Sequence, residues 1–75
     1  MAGVHMKLSA RNQLKGRVVD VKNGAVMSSV KLDIGGGNTI TAYIGKESVE
    51  DLGLKVGDSA VAIIKATEVI VGKLK

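Results

Sequence analysis

Arg17-Val18-Val19-Asp20-Val21-Lys22-Asn23-Gly24, with the run from Val26 to Ile34 that follows it, decides the fold class. Its first six residues are rich in β-branched side chains, which suit a pleated, half-buried surface better than a helix. Asn-Gly between two such runs is a strong hairpin signal, because a two-residue turn of the favoured hand needs positive φ at both positions. The run beyond it alternates. Val26, Ser28, Val30, Leu32 and Ile34 share one face, and Met27, Ser29, Lys31 and Asp33 the other. That period of two predicts a strand with one side buried.

Working outward, the first strand spans residues 15–21, led in by the polar, donor-rich stretch Ser9-Ala10-Arg11-Asn12-Gln13-Leu14-Lys15-Gly16. Downstream, Gly35-Gly36-Gly37-Asn38 reads as a second hairpin turn. It lacks the Gly-Lys-Ser/Thr ending of a phosphate-binding P-loop. A third strand over residues 39–44 sets Ile40, Ala42 and Ile44 against Thr39, Thr41 and Tyr43. Ser48-Val49-Glu50-Asp51 fits a capping box with Ser48 at the N-cap, and Gly53 suits the C′ position, giving a helix of little more than one turn. Lys55-Val56-Gly57-Asp58 turns the chain into a fourth strand over 59–65, whose Ala60-Val61-Ala62-Ile63-Ile64 core is apolar on both faces and asks for cover from both sides. Residues 68–71 make a short fifth strand. The expected fold is all-β, a small five-stranded barrel of the oligonucleotide/oligosaccharide-binding (OB) type with one short helix.

The chain has 75 residues, one domain near the lower limit for a stable core, and no cysteine to staple it. Yet 45% of its residues are hydrophobic, nearly all aliphatic, with Tyr43 the single aromatic. Burying that much apolar surface calls for partner subunits, so a homo-oligomer is expected. Eleven Lys/Arg against seven Asp/Glu give a net charge of +4, which suits anionic partners. No apolar run approaches the roughly 18 residues of a membrane span. Residues 1–5 lack a signal-peptide core, and Met6 reads as the natural start, with 1–5 a cloning remnant or disordered arm. A cytoplasmic location is the expectation, and residues 6–75 form the domain.

Catalysis finds no support. His5 is the only histidine and lies in that arm, so no nucleophile–base–orienter set can be assembled. The acids Asp20, Asp33, Glu47, Glu50, Asp51, Asp58 and Glu68 are scattered over turns and faces. A tetrahedral oxyanion is better matched, because it needs only donors. Ser9 and Arg11 supply two, Lys65 and Thr67 two more, and residues 45–48 bring backbone N–H groups at the helix entrance. An oxyanion that is fully deprotonated at neutral pH suits such a site. Phosphate carries a proton part of the time, and sulfate can be refused only on cavity size, which demands rigid walls. Plainer readings stand beside these. Arg11 is also explained as a surface cation or ion-pair partner, Lys65 as a snorkelling lysine, Ser48 as an N-cap and Ser9 as a turn former. Glu47, Glu50 and Asp51 would repel a nearby dianion.

In order along the chain, Ser9-Ala10-Arg11-Asn12, Gly35-Gly36-Gly37-Asn38, Ser48-Val49-Glu50-Asp51-Leu52-Gly53 and Ile63-Ile64-Lys65-Ala66-Thr67 resemble the molbindin family of Mop domains, over about residues 6–72. The resemblance implies an OB-type barrel in a hexamer built as a trimer of dimers, binding molybdate or tungstate at subunit interfaces. It implies no redox cofactor and no metal held directly by side chains. It assigns oxyanion-binding roles to Ser9 and Arg11, to Gly45, Lys46 and Ser48, and to Lys65, Ala66 and Thr67. Some relatives carry a hydroxyl residue where this chain has Gly45, which leaves that position only its backbone N–H. The implied role is intracellular molybdenum storage or homeostasis. The rival expectation is an OB fold for single-stranded nucleic acid, favoured by basic charge but short of the aromatics that stack bases.

Overall fold

The computed structural model describes residues 9–75. The expectations placed on residues 1–5, on His5 and on a start at Met6 lie outside the described residues. Four strands, β1 (Asn12–Asn23), β2 (Met27–Gly35), β3 (Asn38–Gly45) and β4 (Ser59–Ile64), form one antiparallel sheet in the order β3-β2-β1-β4. A short helix, α1 (Lys46–Leu52), follows β3, and a single 3-10 turn (Ala66–Glu68) follows β4. The long strand β1 is shared between two neighbours. Its residues 12–17 pair with β4 and its residues 17–23 with β2. This stagger is the shear that curls a sheet toward a barrel. At the handover Gly16 is obligatory, since a Cβ there would stand 2.7 Å from the Asp33 carbonyl oxygen. A bulge between Val18 and Asp20 adds further twist.

The expected alternation is realised from Ser28 onward, but Val26, expected on the buried face, lies in the turn before β2 and is 75% exposed. Ser28, Val30 and Leu32 are buried, Ile34 half-buried, and Lys31 and Asp33 exposed. Val18, Val30, Leu32 and Val49 form the centre of the core, with Val21, Ile34, Ile44, Leu54, Ala60 and Ala62 packed around it. Gly36 and Gly37 turn β2 into β3 with φ of 62° and 78°, the positive values a tight hairpin needs. Gly53 ends α1 in the left-handed region, its N–H bonding the Glu50 carbonyl and the Leu54 N–H the Val49 carbonyl, both at 3.1 Å. That pair of bonds is a Schellman cap, with Gly53 at C′ as expected.

Three turn and end expectations are corrected. The first hairpin does not turn on Asn23-Gly24: neither residue has positive φ, and Asn23 is still paired, with Ser28. The chain reverses over Ala25 and Val26, closed by the Gly24 N–H on the Met27 carbonyl at 2.9 Å. Gly24 is needed for closeness instead, because a Cβ would lie 2.5 Å from that carbonyl oxygen. Ser48 is not the N-cap. β3 runs directly into the helix at Gly45, so Ser48 falls inside the first turn and no side chain caps it. Residues 68–71 form no strand and pair with neither open edge of the sheet, β3 or β4, so among the described residues the barrel stays half-open with four strands. Within the single chain β4 is not covered on both faces, where Ile63 remains 45% exposed, as the need for outside cover implied.

Candidate oxyanion-binding site

Extended backbone alternates its side chains, and the start of the described chain uses that. Ala10 is buried, which leaves Ser9 and Arg11 exposed on either side of it. Asn12 opens β1 opposite Ile64, and its Nδ2 donates to the Ile64 carbonyl at 3.3 Å. Arg11 and Lys65 each lie one residue beyond that pair, at the same end of the sheet. Lys65 then leads the 3-10 turn, with its own carbonyl accepting the Glu68 N–H at 2.9 Å. The first N–H groups of such a turn, those of Ala66 and Thr67, have no acceptor within it. Ser9, Arg11, Lys65, Ala66 and Thr67 therefore gather at one end of the sheet as an exposed group of donors.

Gly45, Lys46 and Ser48 lie at the opposite end. Met27 at the start of β2 pairs with Gly45 at the end of β3. Between this corner and the β1–β2 turn lies an open cleft of about 630 Å³, lined by residues 25–27, residues 45–48 and Glu50. The Lys46 N–H is already committed to the Val26 carbonyl at 2.8 Å. Lys46 can thus serve an anion only through its ammonium, whereas the N–H groups of Glu47 and Ser48, early in the helix, have no intrahelical acceptor. Glu47 and Glu50 line the same cleft and oppose an anion there, as their sequence positions implied.

The residues named from the sequence thus fall into two groups, separated by the length of β1, whose 12 residues reach on the order of 35 Å at about 3.3 Å each. Among the described residues two ion pairs form, Lys22–Asp20 at 3.9 Å and Lys55–Asp58 at 3.3 Å. Neither uses Arg11, Lys46 or Lys65, so these three cations have no carboxylate partner there. No group of three or more His, Cys, Asp or Glu side chains able to hold a metal ion occurs among the described residues. Sequence reasoning missed the wall made by Ala25, Val26 and Met27, whose apolar side chains carry no chemical signal. It also missed the tie made by Asn12, which only the strand register exposes.

A half-open antiparallel sheet with donor groups at both ends and a short helix after its third strand defines a small OB-type domain. The chain matches the model of the TOBE domain over residues 8–71. It is 55% identical over 67 residues to a probable molybdenum-pterin-binding protein of Haemophilus influenzae, covering 89% of this chain and 97% of that one. The molybdate-binding protein of Sporomusa ovata superposes with a TM-score of 0.86 at 41% identity, covering 91% of this chain and all of that one. The cytoplasmic molybdate-binding protein ModG, in a molybdate-bound crystal form, matches at a TM-score of 0.79 and 51% identity, over 81% of this chain and 43% of its own. The chain belongs to the TOBE-domain family, among its Mop-type, or molbindin, members.

Proposed function

We propose that this protein binds molybdate, and tungstate by the same chemistry, at sites completed between subunits of a homo-oligomer. The observation that carries the reading is the set of uncompensated donors: Arg11 beside Lys65 at one end of the sheet, and Lys46 with Ser48 at the other. Two like charges held side by side are unfavourable until an anion lies between them. Relatives named for molybdenum or molybdate supply the identity of that anion. Both donor groups are open to solvent in the single chain, so a second copy is the natural source of the missing walls. Val26, Tyr43, Ile70 and Val71 are all at least 74% exposed and would cover apolar surface in the same contact. A hexamer arranged as a trimer of dimers fits this reading, as does a fifth strand at 68–71 paired with another copy.

The protein is a binder and not an enzyme, needs no redox cofactor, and serves molybdenum storage or homeostasis in the cytoplasm. Its domain comprises residues 6–75. The nucleic-acid alternative rests on charge alone, since Tyr43 is the single aromatic. Titration calorimetry and native mass spectrometry with molybdate, then with sulfate, test the proposal. Molybdate should bind and sulfate should not. Arg11→Ala and Lys65→Ala should each cost on the order of 2–5 kcal/mol in affinity, the loss of a charged donor from a dry site. Unchanged affinity in both variants, with the oligomer intact, would remove these residues from the site.

A further inference from the structure

The wall of the cleft opposite α1 is a turn of Ala25, Val26 and Met27, none of which carries a side chain able to hold its own position. What holds it lies one step down the hairpin. Ser28, only 1% exposed, donates its hydroxyl to Asn23 Oδ1 at 2.8 Å, across the last pair of the β1–β2 ladder. The Gly24 N–H on the Met27 carbonyl closes the turn above it. From the turn's tip the Val26 carbonyl takes the Lys46 N–H at 2.8 Å, so the turn in turn fixes the first residue of α1. The three bonds run in series from a buried side chain to the helix entrance. Ser28 is the one buried polar side chain among the described residues, and a hydrophobic residue would fill that place at lower cost were packing its only task.

We infer that Asn23 and Ser28 are positioning residues for the oxyanion cleft, latching the β1–β2 turn so that it sets the spacing between the turn and residues 45–48. The inference rests on the proposed oxyanion function and adds what makes the cleft rigid enough to select by size, since a tetrahedral anion refused only for being too small requires a wall that cannot close in. Neither residue lines the cleft. Their effect is on the ratio of molybdate to sulfate affinity, which a residue contributing only to stability would leave alone.

The test uses the full chain in its native assembly, with Ser28→Ala, Asn23→Ala and the double variant. Calorimetric affinities for molybdate and sulfate are read beside amide exchange at Lys46. Each single variant should weaken molybdate roughly three- to tenfold, the equivalent of one neutral hydrogen bond, while sulfate gains or holds, and Lys46 exchange should quicken. The double variant should be no worse than either single, because both remove the same bond. If Ser28→Ala fails to fold, Asn23→Ala, at an exposed position, carries the test by itself. Wild-type binding with an unchanged anion ratio in the folded variants overturns this inference alone. A wild type that binds no molybdate overturns it together with the functional reading.

Discussion

Val18 and Val19 are adjacent residues of identical chemistry on opposite sides of the sheet, and the fold assigns them different energies. Val18 is fully buried at the centre of the core, while Val19, at the bulge, is 40% exposed. Truncating Val18 to alanine removes two buried methyl groups, about 1.6 kcal/mol at roughly 0.8 kcal/mol each. The cavity left behind raises the total to about 2–3 kcal/mol, because Val30, Leu32 and Val49 belong to strands and a helix that cannot collapse fully onto it. Val18 is also tied through its backbone, its N–H to the Asp58 carbonyl and its carbonyl to the Gly57 N–H, both at 2.8 Å, which limits relaxation further. For a domain of this size each kcal/mol moves the midpoint by about 4–8 °C, so Val18→Ala should lose about 10–20 °C. Val19→Ala should lose less than half of that. The assay is thermal unfolding followed by circular dichroism at one fixed protein concentration, since association shifts the midpoint by mass action. Equal losses in the two variants would refute the assignment of Val18 to the core and with it the curl of β1.

Other perturbations follow from single features. Gly53→Ala forces a side chain into a φ of 63° and should cost about 1 kcal/mol in denaturant unfolding. Gly16→Ala drives a Cβ to 2.7 Å from the Asp33 oxygen and should cost about 1–3 kcal/mol by the same assay, as overpacking does. Asp58→Ala removes the carboxylate that accepts the Lys55 N–H at 3.0 Å, an exposed bond whose loss should register at no more than about 1 kcal/mol. Molybdate at 100 times its dissociation constant should add about 2.7 kcal/mol to stability in a thermal scan, and an equal concentration of sulfate should add nothing comparable.

The residues that were read correctly from sequence are those whose local chemistry decides the outcome. Alternation fixed which side of β2 is buried, three consecutive glycines fixed the second hairpin, and Gly53 fixed the helix end, each through constraints contained within a few residues. The errors arise where a distant neighbour overrides the local signal. Asn-Gly predicted a turn, but Asn23 is held in the ladder by Ser28 and Gly24 yields to the Met27 carbonyl. Ser48 looked like an N-cap because nothing in the sequence says that β3 runs straight into α1. Residues 68–71 have the composition of a strand, yet pair with neither open edge of the sheet. For the site, periodicity and donor chemistry nominated the residues and the family resemblance assigned their roles. That Arg11 and Lys65 lie at the same end of the sheet, a strand's length from Gly45, emerges only from the pairing of β1 with β4 and β2.

That pairing joins Asn12 to Ile64, two residues 52 positions apart. The first strand of the sheet therefore waits for the last before half of its hydrogen bonds can form. Closing so long a loop before any reward is collected slows folding. Until β4 emerges, the nascent chain can build only the hairpins β1–β2 and β2–β3 of this sheet, with the outer half of β1 unpaired and exposed to neighbouring nascent chains. Synthesis and folding of this sheet are thus coupled in time, its first strand being completed only by its last.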